Sequence, residues 1–329
     1  MPSTRMLRDT FGVAHRVAAD ALRLLAEEGK VTLRAKSCAV VNAERLLEKN
    51  GVVLMVFPDR VRHLPSLVVE DRIMHALHAS GYVARPVTIC RTGRRGGYDL
   101  TFLRAELQTR NELAVCYSVH PDILRLMDAF GQPYVNVFGS SASSGSGACV
   151  GCMAFDRSEA LDAFVRHCTT RKVGKVLLAS KWKGDCSKVG GLLSAAGIAS
   201  ESWVVPTPVC MARGEAVERD FYNAFDRRLT RRGTSWLPEL VFFNDDFACY
   251  GALMALQAHR VSVPDDIRIV TVANRGLMRP FPFSLTRIEY NYASYGDAVA
   301  KTVCDYLRRG TFADGQVLGP VYRKGDSFR

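Results

Sequence analysis

The chain lacks the sequence features of exported and membrane proteins. Its 329 residues contain no run of about 18 apolar residues, the length that a membrane-spanning helix needs. The first residues, Met1 to Arg5, carry no apolar stretch of the kind found in secretory signals. We therefore expect a cytoplasmic protein with no membrane partner.

Signatures of catalysis are also missing. We find no glycine-rich phosphate loop, no cluster of metal-ligand residues and no convincing catalytic triad. The 10 cysteines are scattered, and several, such as Cys116, lie inside apolar runs as small buried hydrophobes do in a reducing compartment. Cys149 and Cys152 form one close pair without a second ligand pair, so we interpret their spacing as chance. The sequence thus predicts no enzyme, no cofactor and no metal.

Composition and charge place the chain among folded proteins that can bind nucleic acid. Hydrophobic residues make up 48% of the chain and charged residues 23%, and the length exceeds what one hydrophobic core usually serves. The net charge of +11 is compatible with a nucleic-acid partner, and a solvated basic face is the alternative.

The first 41 residues have the outline of a winged helix-turn-helix. Ser3 is a plausible N-cap of a first helix, Gly12 interrupts it, and Gly29 closes a second, longer helix. A basic turn then separates two short apolar runs that can pair as a hairpin. The predicted elements are helices over 3–10 and 14–28 and strands over 31–33 and 39–41. Residues 42–50 are mostly polar and form the predicted linker.

From Gly51 onward, short β-branched runs alternate with amphipathic stretches. This alternation is typical of parallel sheets with crossover helices, and the number of elements is too large for one compact sheet. The fold class is therefore α/β, with two lobes. Predicted strands cover 52–57, 83–89, 113–118, 134–138, 175–180, 202–205, 240–244 and 267–273, and predicted helices cover 67–80, 121–130, 158–170, 187–196, 215–231 and 247–259.

The N-terminal segment resembles the GntR family of winged-helix regulators. The likeness rests on Pro-Ser-Thr-Arg at residues 2–5, Phe-Gly-Val at 11–13 and Ala-Leu-x-x-Leu-x-x-Glu-Gly at 21–29. It implies that the second helix enters the DNA major groove and that the wing contacts the flanking backbone. The family's first helix precedes the Pro-Ser motif, so we expect either that this head is truncated or that the true start of the chain lies upstream. The candidate DNA-binding residues are Ser3, Arg5, His15, Arg16 and Lys36.

The rest of the chain resembles the sensor domain of LacI/GalR regulators. Residues 238–253 read PELVFFNDDFACYGAL, where a strand ends in Asn-Asp and an Ala-x-x-Gly helix follows, and residues 261–270 read VSVPDDIRIV. The resemblance spans roughly residues 51–310. It implies the periplasmic-binding-protein-like fold, with two hinged lobes and a ligand in the cleft. We assign residues 1–41 to the head, 42–50 to the linker and 51–329 to the sensor, with lobe 1 at about 51–155 and 283–309 and lobe 2 at about 156–282 and 310–329.

Polar and aromatic residues follow the ends of the predicted strands, where ligands bind in open α/β sheets. Carboxylates, amides and an aromatic face suit sugar hydroxyls, so Asp245 is expected to accept hydroxyl protons and Trp182 to stack on a sugar ring. Helix capping, solvated loops and core packing are the competing explanations for the same residues. The candidate ligand-binding residues are Asp59, Arg60, Ser118, His120, Asp156, Trp182, Lys188, Asn244, Asp245 and Asn274.

A GntR-like head followed by a LacI-like sensor is the domain order of arabinose-type repressors. This resemblance predicts a ligand-responsive DNA-binding transcription regulator. Its expected partners are double-stranded operator DNA, a small effector such as a carbohydrate, and a second copy in a homodimer. The alternative is a cytoplasmic small-molecule-binding protein with a vestigial DNA-binding head. His15 and Lys36, which replace residues usual in the GntR family, motivate that alternative.

Overall fold

A computed structural model of the chain describes residues 3–27, 29–33, 39–41, 51–57, 64–92, 97–138, 147–181, 184, 186–206, 214–312 and 319–329. The chain divides into two compact units. Unit 1 comprises Met1–Arg60, Ile73–Cys152 and Ala300–Ala313, and unit 2 comprises Val61–Arg72, Met153–Val299 and Asp314–Arg329.

Unit 1 begins with two helices and a small hairpin. Helix α1 (Thr4–Phe11) starts where the Ser3 hydroxyl accepts a hydrogen bond from the Met6 amide, and it ends at Gly12 in the left-handed conformation. Helix α2 (His15–Glu27) follows, and strands β1 (Val31–Thr32) and β2 (Val40–Val41) pair antiparallel. The predictions of these helices and strands, and of the Ser3 cap, are confirmed to within a few residues.

The sheet of unit 1 has five strands in the order β4-β3-β7-β8-β9. Strand β3 pairs parallel with β4 and β7, and β7 pairs parallel with β8. Leu54, Cys116 and Tyr134 of the sheet and residues of α4 and α5 form one buried core. The elements are β3 (Val52–Phe57), α3 (Leu64–Ala79), β4 (Val83–Thr88), a hairpin of β5 (Cys90–Thr92) and β6 (Gly97–Asp99), α4 (Thr101–Leu107), β7 (Leu113–Tyr117), α5 (Pro121–Ala129), β8 (Tyr134–Val137) and β9 (Cys149–Met153).

The sheet of unit 2 repeats this strand order and adds one strand, giving β11-β10-β12-β13-β14-β15. All neighbouring strands are parallel except β14 and β15. The elements are α6 (Ser158–Thr170), β10 (Lys175–Ser180), α7 (Ser187–Ala195), β11 (Ala199–Val204), α8 (Gly214–Arg232), β12 (Leu240–Phe243), α9 (Asp246–Ala258), β13 (Arg268–Asn274), β14 (Thr286–Tyr290), α10 (Tyr292–Arg309), β15 (Val321–Arg323) and a 3₁₀ turn (Asp326–Phe328). Helices α3 and α10 each begin in unit 2 and end in unit 1.

Helices cover both faces of the unit 2 sheet, which explains why its central strands β10 and β12 are almost continuously apolar. On one face α6 and α7 bury Phe164 and Leu193 against Phe242. On the other face α8 and α9 bury Phe221 and Ala252 against Phe243. The α/β fold class predicted from the alternating sequence pattern is confirmed.

Several elements differ from the sequence prediction. The hairpin β5–β6, helix α4 and strand β15 were not predicted, because three- to seven-residue elements carry too little periodicity. Residues 283–299, which the sequence analysis assigned to lobe 1, lie in unit 2, because β14 pairs parallel with β13 in its sheet. None of the described helices has the length and apolar character needed to cross a membrane.

Candidate ligand-binding site

The carboxyl edge of the unit 2 sheet gathers polar residues at its topological switch point. The connection from β10 leads to α7 on one face of the sheet, whereas the connection from the neighbouring β12 leads to α9 on the other face. Open α/β sheets bind ligands in the crevice that such a divergence leaves beyond the strand ends. Lys181 follows β10 here, and Asn244, Asp245 and Asp246 follow β12.

Lys181 and Asp245 join the two sides of the switch point through an ion pair. Lys181 Nζ lies 2.5 Å from Asp245 Oδ2, and the side chains are only 15% and 18% exposed. Asp245 Oδ1 accepts hydrogen bonds from the amides of Phe247 (2.9 Å) and Ala248 (3.2 Å), which caps α9. Both carboxylate oxygens of Asp245 are thus engaged within the protein.

Asp246 and Asn274 form a second polar pair beside the first. Asp246 is 4% exposed, and the Asn274 side-chain amide lies 3.3 Å from one of its carboxylate oxygens and 3.5 Å from the other. Burial, and then the negative charge of Asp245, raises the pKa of Asp246 to about 6. Its carboxyl group therefore gains a proton more readily than an exposed aspartate does.

An aromatic cluster lies at the end of β14. The Phe155 ring stacks on Tyr295 with centroids 4.3 Å apart and meets Tyr290 and Tyr292 edge-on at 4.9 and 5.3 Å. Arg157 lies over the Tyr290 ring at 5.6 Å. Burial, and then Tyr290, raises the pKa of Tyr292. Tyr290 is the register partner of Asn274 on the neighbouring strand, which places the cluster beside the second polar pair. The sequence analysis did not identify these aromatic residues; their position directly after strand ends was the available signal.

Asp156 and Lys188 lie at the N-termini of α6 and α7. Asp156 Oδ1 accepts a hydrogen bond from the Ser158 amide at 2.9 Å, and this bond lowers the pKa of Asp156. Lys188 Nζ lies 3.5 Å from Ser158 Oγ. Asp156 therefore accepts a hydrogen bond from the first amide of α6 and stabilises the start of that helix.

The carboxyl edge of the unit 1 sheet is aromatic. Phe57 stacks on Tyr117 with centroids 4.6 Å apart, and Phe138 lies 6.4 Å from Tyr117. Ser118 is exposed after β7 and adopts a left-handed φ of 46°. His120 caps α5, because its Nδ1 accepts a hydrogen bond from the Asp122 amide at 3.3 Å.

The remaining candidates fall into two groups. Asp59, Arg60, Trp182 and Lys36 lie outside the described residues. In the head, the Ser3 hydroxyl caps α1, Arg5 and His15 are exposed, and Arg16 is 93% exposed with Nε 4.0 Å from Asp20.

Of the predicted ligand-binding residues, the structure brings Asp245 and Asn274 together with Asp246, and Asn244 is half-buried beside them.

No metal site is visible in the described part of the chain, where no three His, Cys, Asp or Glu side chains cluster. Cys149 and Cys152 lie on strand β9, and burial raises the pKa of both thiols. Protonated thiols on a strand are poor metal ligands and poor nucleophiles.

The fold agrees with comparisons to known proteins. The profile of the periplasmic binding protein-like domain matches residues 191–328. No curated protein sequence matches the chain.

Solved structures similar to this chain include several transcription regulators. The lac repressor dimer bound to operator and an anti-inducer has a TM-score of 0.67 at 14% identity, over 87% of this chain and 96% of that chain. A LacI-family regulator from Arthrobacter sp. FB24 in complex with lactose has a TM-score of 0.63 at 14% identity, over 85% and 100%. The regulator GntR from Chromobacterium violaceum has a TM-score of 0.62 at 21% identity, over 84% and 99%. The chain therefore has the periplasmic-binding-protein-like fold of LacI-type regulators.

Proposed function

We propose that the protein is a ligand-responsive, DNA-binding transcription regulator that acts as a repressor and senses a sugar or a similar small polar molecule. The observation that carries this proposal is the polar cluster of Lys181, Asp245, Asp246 and Asn274 at the switch point of a periplasmic-binding-protein-like sheet. The ligand-bound and operator-bound relatives of the same fold support it. The ligand then binds at the carboxyl edge of the unit 2 sheet.

DNA binding is assigned to residues 1–41, with 42–50 as the linker and 51–329 as the sensor. Two helices followed by an antiparallel hairpin support a winged helix-turn-helix head. Arg5, His15 and Arg16 are exposed there and available to phosphates or base edges, and Lys36 is a further candidate contact. We assign no catalytic role to any residue.

A gel-shift assay of the full chain with its own promoter DNA tests the proposal. We expect a shift at low salt that a cognate sugar or sugar derivative weakens. Absence of any shift at low salt, together with ligand binding by calorimetry, favours the alternative function, a small-molecule-binding protein with a vestigial head. The residues that favour that alternative are His15, Ala19, Lys36 and Cys38, which replace residues usual in the GntR family.

We further propose that the protein acts as a homodimer, as the lac repressor does in its operator complex. Met254 on α9 is 53% exposed and lines a surface pocket of about 390 Å³ with Tyr222 and Arg279. Methionine, tyrosine and arginine are enriched in protein interfaces, and all three lie together here. In sedimentation velocity, Met254→Asp is expected to shift the dimer to monomer, whereas Val321→Asp, at an equally exposed position, is not. Equal sedimentation of both variants and the wild type places the interface elsewhere.

A further inference from the structure

The carboxylates at the candidate site have little capacity left to accept hydrogen bonds from a ligand. Asp245 uses one oxygen for two backbone amides and the other for the Lys181 ammonium. Both oxygens of Asp246 face the Asn274 amide, and Asp156 accepts a hydrogen bond from the first amide of α6. Neutral sugars bind largely by donating hydroxyl protons to carboxylate oxygens, and these oxygens are engaged here.

Donor groups, by contrast, remain available. An ammonium has three N–H donors, and among the described residues Lys181 has one acceptor, Asp245. A guanidinium has five N–H donors, and that of Arg157 makes a cation–π contact with Tyr290 and no hydrogen bond within the described chain. Lys188, at the nearby start of α7, meets only the Ser158 hydroxyl at 3.5 Å within the same part of the chain.

Burial makes the Lys181 donors selective. The side chain is 15% exposed, so its unused N–H groups face little water and gain most from a charged acceptor. Its pairing with Asp245 also holds the ammonium in one place, which lowers the entropy lost when a ligand binds. The ring contact restrains the Arg157 guanidinium in a similar way.

We infer that the ligand of this site carries an anionic oxygen group, a carboxylate or a phosphate, and that Lys181 and Arg157 receive it. This inference rests on the proposed function and narrows its ligand class from sugars in general to sugar acids or sugar phosphates. Lys181 keeps its contact with Asp245 and donates its remaining hydrogen bonds to the anionic group. Arg157 supplies the planar donor pair that suits carboxylate and phosphate oxygens.

Isothermal titration of the full chain with matched probes tests the inference. Galactose is paired with galacturonate, and glucose is paired with glucuronate and with glucose 6-phosphate. We expect at least one charged probe to bind at least about tenfold more tightly than its neutral partner, with an affinity that falls as salt rises. Tighter binding of the sugar acids indicates a carboxylate ligand, whereas tighter binding of glucose 6-phosphate indicates a phosphate ligand.

Two variants and a matched control locate the effect. Lys181→Met and Arg157→Met are each expected to weaken binding of the charged probe about tenfold or more and to change binding of its neutral partner by a smaller factor. Lys175→Met is the control, because Lys175 lies at the opposite end of the same strand and forms a similar ion pair, 2.8 Å from Glu201. Arg157 is exposed, so its variant tests the inference even if Lys181→Met unfolds.

Each outcome bears on the inference separately from the proposed function. Equal or tighter binding of the neutral probes, or a loss as large in Lys175→Met, overturns the anionic ligand and leaves a sugar-responsive regulator in place. Failure of all five probes to bind also overturns it. The gel shift then decides independently whether the chain is a DNA-binding regulator.

Discussion

The two units use one strand order to present different chemistry. The sheet of unit 1 begins β4-β3-β7-β8, and the sheet of unit 2 begins β11-β10-β12-β13. A polar segment follows the third of these strands in each unit, β7 in unit 1 and β12 in unit 2. In unit 2 that segment holds Asp245, which caps α9 and binds Lys181. In unit 1 it holds Ser118 and His120, and the rings of Phe57, Tyr117 and Phe138 pack together at the described strand ends.

Strand order therefore determines where a site can form in each unit, but it does not determine which ligand the site binds. Parallel strands with crossover helices bring their carboxyl ends to one edge in either unit. The residues placed there decide whether the edge offers donors, acceptors or aromatic faces. On this basis the polar residues after β12 and β13 make the carboxyl edge of unit 2 the candidate site for a polar group.

The largest expected difference between the units concerns the packing of α8 on α9. A Cβ added at Gly251 would lie 1.9 Å from the Glu218 carbonyl oxygen and 2.9 Å from the Tyr222 amide nitrogen, so both backbones would have to move. We expect Gly251→Ala to lower the free energy of unfolding of unit 2 by at least about 4 kcal/mol, because overpacking here meets backbone and not a flexible side chain.

Urea unfolding followed by fluorescence measures this effect. All three tryptophans, Trp182, Trp203 and Trp236, belong to unit 2, so their emission reports on that unit, whereas circular dichroism reports on the whole chain. Gly191→Ala on α7 is the control, since nothing lies within 4 Å of its added Cβ, and it is expected to stabilise unit 2 by about 0.5–1 kcal/mol. Similar midpoints for both variants would contradict the close helix contact.

The second difference concerns the buried carboxyl group of Asp246, for which the described edge of unit 1 has no counterpart. Its pKa of about 6 lies above the ordinary value of 3.8, so the folded state holds the proton more tightly than the unfolded chain. The resulting stabilisation is complete below pH 4 and is lost as pH rises through 6, and it amounts to as much as about 3 kcal/mol.

Comparison of the wild type with Asp246→Asn isolates this dependence. The unfolding free energy of the wild type minus that of the variant is expected to fall between pH 4.5 and 7 and then to level off. The subtraction is needed because burial lowers the pKa of His167 to about 4, which makes stability rise with pH in the same range. A difference that stays flat across the range contradicts the burial of Asp246.

The smallest expected difference is in the stability lost when each helix cap is removed, Asp245 of α9 in unit 2 and His120 of α5 in unit 1. Asp245→Ala removes two cap hydrogen bonds and leaves Lys181 without its carboxylate, which we expect to cost about 2 kcal/mol. His120→Ala removes a single exposed cap bond of 3.3 Å and is expected to cost less than about 1 kcal/mol. Thermal unfolding of both variants ranks them, and an equal loss would mean that the Lys181 contact adds nothing to stability.

Much of the fold could be predicted from sequence periodicity, and the site only in part. Predicted and observed bounds of β10 and α6 coincide, because a buried strand and an amphipathic helix each show a regular pattern. The prediction that Asp245 and Asn274 lie at one edge followed from their places after strands. The engagement of both Asp245 oxygens could not be predicted, because Lys181 lies 64 residues away along the chain.

By itself the sequence determined the α/β class, the helical start of the chain at Ser3 and the strand ends at which polar residues gather. These features are local, and each depends on residues a few positions apart. Only the tertiary structure decided that Lys181 meets Asp245, that Asn274 meets Asp246 and that Phe155 joins the tyrosines after β14. Those contacts depend on which strands are neighbours and on how side chains fill the space between them, and no repeating pattern in the chain encodes either.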